Sequence, residues 1–243
     1  MILKSLFFCS EYQYLFNINI YSILIPVHNE KKYLPSLLDS LKDYSEKGHE
    51  VIIIDDGSND GSADILKSCK MINVISLIQN KGKGYALKKG LENAKNNKIL
   101  IYDGDMEIDP LDISRLMILD REKSIRYVMG YRFKSLSLFK SNFDWGNFMF
   151  TSFFNILFKT NHKDILCCAK AFYADEIKKY NIMSDGFDID IELASFLTIL
   201  NKRSRLSQVL LNYNRRSIEE GKKLKVSDGW KILFRIIKMI KYL

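Results

Sequence analysis

Val51-Ile52-Ile53-Ile54-Asp55-Asp56-Gly57-Ser58-Asn59-Asp60-Gly61-Ser62 decides the fold. Four consecutive β-branched residues leave no polar position for a wet face, and two carboxylates followed by Gly-Ser end the run abruptly. Such a run suits a central strand covered on both sides that breaks into a turn at its carboxyl end. Outward from it the same signal recurs at Tyr21 to Val27, Val74 to Ile78, Ile99 to Tyr102 and Arg126 to Gly130. Periodic segments fill the gaps. Lys31 to Lys47 carries Leu34, Leu37, Leu38 and Leu41 at helical spacing, Ser62 to Lys70 follows the Asn59-Asp60-Gly61 turn, and Gly84 to Asn96 repeats Ala86, Leu87, Leu91 and Ala94. Strands alternating with helices form βαβ units, so the sequence predicts an α/β fold with a Rossmann-like, mostly parallel sheet flanked by helices.

The chain has 243 residues, 47% apolar and 27% charged, which excludes a disordered, collagen-like or disulfide-stapled protein. Its net charge of +8 is unevenly spread: residues 201 to 243 hold 12 Lys and Arg against 3 Asp and Glu, leaving the rest near neutral. A basic tail on a neutral body points to an anionic surface or substrate met by that tail. Cys9, Cys69, Cys167 and Cys168 lack C-x-x-C spacing and read as free thiols in a reducing compartment, with no zinc site. The apolar start, Met1 to Cys9, is soon followed by Glu11 and has neither a cationic leader nor a cleavage signal. It reads as an extra strand or ragged leader. No run reaches the ~20 uninterrupted apolar residues that a bilayer span needs.

Beyond about residue 131 the pattern changes. Phe139 to Phe158 contains seven Phe or Trp residues after Phe139 and reads as one or two helices, either buried core or lying in a membrane interface. Asp228 to Leu243 places Lys231, Arg235, Lys238 and Lys241 on one helical face against Trp230, Leu233, Ile236, Ile237 and Ile240. A basic amphipathic helix suits an anionic bilayer surface; a terminal helix packed on the domain with a solvated basic face fits the same pattern. Nucleic acid is a poor partner for this tail, whose charges alternate with aliphatic rather than stacking aromatic side chains.

Ligands of open α/β sheets bind at the carboxyl ends of the strands. Those ends are acidic here: Pro26-Val27-His28-Asn29-Glu30, Asp55-Asp56-Gly57-Ser58 and Asp103-Gly104-Asp105-Met106-Glu107. Asp109, just before Pro110, reads as a helix cap. Asp103 and Asp105 on an extended segment can turn oxygens toward one hard cation, and Glu107, two residues on, falls on the same side. Mg²⁺ or Mn²⁺ prefers such ligands and bridges diphosphate oxygens.

In order and spacing, Ser22 to Glu30, Val51 to Ser62, Asn80-Lys81-Gly82-Lys83-Gly84 and Asp103-Gly104-Asp105 resemble glycosyltransferase family 2, of GT-A fold, over about residues 20 to 130. The resemblance implies transfer of a sugar, with inversion, from a nucleotide diphosphate-sugar. It implies that Pro26, His28, Glu30, Asp55 and Asp56 hold the nucleoside, Asp56 contacting the base, and that Asp103 and Gly104 flank the ribose and diphosphate. Asp105 would ligate the metal with Asp103 and Glu107. Lys83, between two glycines that let the chain approach closely, would contact the diphosphate.

Further elements are similar to the polyprenyl-phosphate branch typified by dolichyl-phosphate mannosyltransferase: Gly130-Tyr131-Arg132, Lys140, Asn147, Asp164, Gly186 to Leu193, Tyr213, Arg216 and Glu220-Gly221-Lys222-Lys223. This likeness implies that Arg132 grips the acceptor phosphate, aided by Lys140 and Arg216; Arg suits that role because its planar fork binds phosphate bidentately. Lys140 stands where the family commonly has Arg, His28 where it has Tyr, and Cys167-Cys168 where small or polar residues are common. The expected catalytic set is Asp103, Asp105, Arg132 and Asp190. A lipid phosphate attacks without a general base, whereas a sugar hydroxyl needs one, for which Asp188, Asp190 and Glu192 are candidates. A non-catalytic nucleotide-sugar-binding scaffold is the rival reading, against which the intact carboxylates argue. The expected layout is a single domain over 1–243: a donor half at 20–130, an acceptor half at 131–225 and a membrane-surface helix at 226–243, in a cytoplasmic protein peripherally attached to the membrane.

Overall fold

The computed structural model describes residues 19–69, 71–133, 142–202, 205–216 and 228–243, with the side chains of 142 and 143 left aside. Residues 1–18, Lys140 and the Glu220-Gly221-Lys222-Lys223 motif lie outside these segments. Seven strands among the described residues form one sheet: β1 (Ser22–Val27), β2 (Glu50–Asp55), β3 (Asn73–Ser76), β4 (Lys98–Ile101), β5 (Tyr127–Tyr131), β6 (Lys170–Tyr173) and β7 (Ser207–Leu210). Their order is β3-β2-β1-β4-β6-β5-β7. β1, β2, β3 and β4 run parallel, β6 is antiparallel to both its neighbours, and β7 is parallel to β5.

The five strands predicted from apolar runs are present, each with ends shifted by no more than two residues. β6 and β7 are additions. The helices are α1 (Leu34–Glu46), α2 (Ser62–Ser68), α3 (Lys83–Asn93), α4 (Ile113–Leu116), α5 (Asn142–Phe158), α6 (Ala174–Ile177), α7 (Ile189–Leu200) and α8 (Asp228–Met239). α1 starts at Leu34, the first of its spaced leucines and three residues after the expected Lys31, and Pro35, which has no N–H to donate, takes its first turn.

Alternation along the strands divides the core into two layers. Ile23, Ile25, Val51 and Ile53 pack on one face with Leu34, Leu37 and Leu41 of α1. Leu24, Ile52 and Ile54 pack on the other with Ala86 and Leu87 of α3, Phe154 and Phe158 of α5, and most of α7. This is why Val51 to Ile54 is apolar throughout: both faces are covered, and each buried Val or Ile contributes about 1.5–3 kcal/mol.

Two helices divide their faces differently from the sequence pattern. α5 buries Asn147, Thr151, Phe154 and Phe158, while Trp145, Met149 and Ile156 are exposed, so it is core on one side only. On α8 the buried residues are Ile232, Ile236 and Met239, and Trp230 and Phe234 stand 66% and 59% exposed. Arg235, expected on the solvated basic face, is turned inward onto Asp188 and Glu192. The outer face therefore mixes Trp230, Phe234 and Ile237 with Lys231 and Lys238. No helix among the described residues is long and apolar enough to cross a membrane.

Candidate active site

The chain leaves β1 toward β2 and β3, then returns to the far side of β1 as β4. Connections thus diverge between β1 and β4, and a crevice opens at their carboxyl ends, the switch point where open α/β sheets bind ligands. A cavity of about 610 Å³ occupies it. Its walls include Pro26, His28, Glu30, Asp56, Lys83, Asp103, Gly104, Asp105, Glu107, Arg132, Asp190 and Arg216, so nearly all the sequence-derived site residues converge. Asp55 is not among the lining residues; it is buried and accepts the Ser58 N–H at 3.0 Å, anchoring the turn after β2.

At the end beside β2, the Asp56 carboxylate accepts the N–H groups of Lys81 and Gly82, each at 2.8 Å. It thereby ties the Gly82-Lys83-Gly84 loop to the sheet. His28 points its Nδ1 at the Asp56 carbonyl at 2.8 Å; since a carbonyl only accepts, Nδ1 carries the proton and donates. The two glycines of the loop serve a different purpose from the one expected. A Cβ on Gly82 would lie 2.3 Å from the Asp185 carbonyl oxygen, and one on Gly84 the same distance from that of Ser184. Close approach is to the 184–186 backbone, and Gly82 also has φ +100, which L side chains rarely adopt. Gly104 likewise has a packing reason: a Cβ there would lie 2.3 Å from Val27 Cγ1.

Lys83 opens α3 and is buried, with Nζ 2.9 Å from Asp103 Oδ2 and 2.8 Å from Asp190 Oδ2. Burial works to lower its pKa, but Asp103 and Asp190 outweigh that and hold the ammonium well above the usual lysine range. Arg216 lies among the carboxylates: its guanidinium is 2.9 Å from Glu30 and 4.0 Å from Asp105, and its N–H donates to Glu107 Oε1 at 3.0 Å. It was expected beside the acceptor and is found at the carboxylate end.

Asp103, Asp105 and Glu107 share the cavity wall but do not form a preassembled cage, and no cluster of three His, Cys, Asp or Glu positioned to hold a metal occurs among the described residues. Asp105 Oδ1 accepts the Glu107 N–H at 3.0 Å. Burial, then the neighbouring charges of Asp103 and Glu107, push the Asp105 pKa up to about 7. That is the signature of crowded carboxylates short of positive charge. It fits a hard divalent cation, which typically takes one or two protein carboxylates and completes its shell with water and substrate phosphate.

A second stretch of the cavity wall is cationic and aromatic. Arg132 follows β5 and makes a two-pronged pair with the fully buried Asp164, which also accepts the Asn147 amide at 3.1 Å. Arg215, which is not among the residues expected from the sequence, pairs with Asp144 and places Nε 3.3 Å from the Tyr213 hydroxyl. Arg132 and Arg215 lie against the same two rings, with guanidinium carbons 5.6 and 5.9 Å from the Phe133 centroid and 5.4 and 5.9 Å from that of Tyr213. Leu166, Phe187 and Ile232 add apolar lining to the cavity. The adjacent arginines of 215–216 were visible in the sequence; which one faces which wall depends on β7 pairing beside β5.

The three acidic residues at the start of α7 are engaged. Asp188 takes Arg235 and the Ser184 hydroxyl, Glu192 accepts the N–H groups of Met183 and Ser184, and both oxygens of Asp190 are bound by lysines, Lys83 and Lys170. Burial alone would raise Asp190, but Lys170 and Lys83 hold it below the usual carboxylate range.

A mostly parallel sheet with a carboxylate-lined switch-point crevice defines an α/β protein of the GT-A class. The family model described as Glycosyl transferase family 2 matches residues 22–177, and the chain belongs to that family. Similar curated proteins include the undecaprenyl-phosphate 4-deoxy-4-formamido-L-arabinose transferase of Aeromonas hydrophila subsp. hydrophila, 36% identical over 110 residues that make up 42% of this chain and 33% of that protein. The dolichyl-phosphate beta-glucosyltransferase of Mus musculus is 35% identical over 109 residues, 39% of this chain and 34% of its own length. The matches span about a third of the length of these relatives. Among solved structures, glucosyl-3-phosphoglycerate synthase from Mycobacterium tuberculosis with Mn²⁺, uridine diphosphate and glucosyl-3-phosphoglycerate superposes with a TM-score of 0.72 at 17% identity, covering 91% of this chain and 80% of that one. The same enzyme with Mg²⁺ and uridine diphosphate gives 0.70 at 16% identity, covering 91% and 79%. At that identity the likeness shows the shared fold.

Proposed function

We propose that this chain is a metal-dependent, inverting glycosyltransferase that moves a sugar from a nucleotide diphosphate-sugar to a polyprenyl phosphate at a membrane surface. One observation carries the reading: a single cavity has a carboxylate-rich stretch of wall with Lys83 and Arg216 and a second stretch where Arg132 and Arg215 lie against aromatic rings, with Leu166, Phe187 and Ile232 also among its lining. The first stretch suits a metal-bound nucleotide diphosphate, the second a phosphate attached to hydrocarbon. Relatives named for undecaprenyl-phosphate and dolichyl-phosphate transfer support the acceptor class, and neighbours crystallised with Mn²⁺ or Mg²⁺ and uridine diphosphate support the donor class.

Asp105, with Asp103 and Glu107 beside it, would hold Mg²⁺ or Mn²⁺. Such a cation, when bound, would supply positive charge against the departing diphosphate. Lys83 and Arg216 add fixed positive charge at that end, and Pro26, His28, Glu30 and Asp56 border the nucleoside. Arg132 and Arg215, with Lys140 as a further candidate, hold the acceptor phosphate so that its oxygen faces the anomeric carbon on the side opposite the leaving group. That single displacement inverts the centre. The occupied state of Asp188, Asp190 and Glu192 favours this acceptor over a sugar hydroxyl, since an ionised phosphate needs no carboxylate to take a proton. The outer face of α8, with Trp230 and Phe234 among lysines, would rest on the anionic bilayer that carries the lipid.

The test is to incubate purified protein with Mn²⁺ or Mg²⁺, labelled nucleotide-sugars and polyprenyl phosphate. A lipid-extractable labelled product is expected; label only in water-soluble products rules out the lipid-phosphate acceptor.

A further inference from the structure

The chain of charges beginning at Asp103 runs past the cavity into the sheet. Lys83 Nζ links Asp103 Oδ2 at 2.9 Å to Asp190 Oδ2 at 2.8 Å, and the second oxygen of Asp190 takes Lys170 Nζ at 3.0 Å. Lys170 is completely buried on the interior strand β6, where its register partners are Ile101 and Met129, and its ammonium also donates to the Cys167 carbonyl. Burying an ion pair at such a position carries a heavy desolvation cost, and an apolar side chain there would often serve stability as well or better. Core packing therefore does not account for a lysine under Asp190.

We infer that Lys170 is a positioning residue for the donor diphosphate: it pins the Asp190 carboxylate, and Asp190 in turn aims the Lys83 ammonium into the cavity. The inference rests on the donor reading above. When Asp103 turns toward a ribose or a cation, Lys83 loses one of its two anchors and is held by Asp190 alone. Asp190 stays in place because its other oxygen is fixed from below by Lys170, and because it sits in the first turn of α7, where the helix dipole favours an anion. Without Lys170, the carboxylate is free to rotate onto Lys83 and draw the ammonium away from the phosphate.

Calorimetric titration of the full chain in Mn²⁺ with UDP, UMP, GDP and GMP reads this directly, as the ratio of monophosphate to diphosphate Kd for the base that binds. In Lys170→Met the ratio is expected to fall about tenfold, the worth of one charge-assisted hydrogen bond, with monophosphate affinity unchanged. An unchanged ratio in folded Lys170→Met overturns the inference, and so does equal weakening of both ligands, which marks a merely structural role. Should Lys170→Met fail to fold, Lys170→Met/Asp190→Asn replaces the buried ions with a neutral pair; the same fall in ratio supports the inference and a normal ratio overturns it. A wild-type protein that binds neither diphosphate sinks the donor reading and this inference together, whereas normal wild-type binding with an unaltered variant ratio sinks this inference alone.

Discussion

Arg132 is held by Asp164 through two parallel bonds, Nε to Oδ2 at 2.8 Å and Nη2 to Oδ1 at 3.0 Å, and the same carboxylate accepts the Arg132 N–H at 3.3 Å. The pair sets the plane of the guanidinium before any ligand arrives. Asp164→Asn is expected to raise KM for polyprenyl phosphate roughly tenfold or more while leaving Mn²⁺–nucleotide affinity intact, because only the acceptor wall loses its alignment. Breaking a buried pair also costs about 3–5 kcal/mol, which denaturant titration will register. Unchanged acceptor KM in a folded variant would contradict the assignment of Arg132.

Asp105→Asn separates function from stability. It removes the carboxylate that desolvation first, and the charges of Asp103 and Glu107 second, push up to about 7. Transferase activity is expected to drop at least roughly a hundredfold, in line with loss of a charge-stabilising group, while the metal-free protein melts at the same or a higher temperature. Full activity in this variant would overturn the metal assignment.

His162 gives a stability signature in acid. It is buried against Phe154 and Tyr127, its Nε2 lies 2.8 Å from Thr198 Oγ1, and its Nδ1 has no partner among the described residues. The Thr198 hydroxyl proton is committed to the Ala194 carbonyl, so Nε2 carries the imidazole proton and Nδ1 is bare. Protonation would place an N–H where nothing accepts it. Burial first, and the charge of Lys170 second, lower the pKa from 6.5 to about 4. The unfolded chain therefore takes the proton first as pH falls. The contribution is fully present above about pH 6.5 and is lost down to about pH 4, a decline on the order of 3 kcal/mol. His162→Gln is expected to be less stable at pH 7 but flatter across that window in urea titrations.

The outer face of α8 is testable without touching the cavity. Trp230 and Phe234 are 66% and 59% exposed, so Trp230→Ser/Phe234→Ser is expected to change stability by no more than about 0.5 kcal/mol. Co-sedimentation with vesicles containing anionic lipid is expected to fall several-fold, and high salt to weaken the wild-type interaction through Lys231 and Lys238. Equal vesicle binding by both proteins would detach this helix from the membrane.

Much of this molecule is legible residue by residue. Val51 to Ile54 and Ser22 to Val27 announce themselves because strands covered on both faces must be apolar at every position. The acidic clusters are legible because they follow those strands, and a parallel sheet with a switch point brings strand ends together. β6 carries no such signal, being four residues long and opening with a lysine, which reads as surface. Arg235 was misplaced for the same reason: a cation is ordinarily solvated, and only Asp188 and Glu192, more than forty residues earlier, make its burial tolerable.

The sequence by itself determined the α/β class, the first five strands and the family, because local hydrophobic periodicity and motif order are properties of neighbouring residues. It also marked most of the cavity wall. Tertiary structure alone decided that Lys83 is a buried ion-paired residue, that Arg216 joins the carboxylates while Arg215 faces Arg132, and that the glycines of 82–84 make room for backbone rather than ligand. Each of these depends on charges or backbones brought together from distant parts of the chain, and whether an ion is solvated, paired or aimed at a ligand is settled by those neighbours.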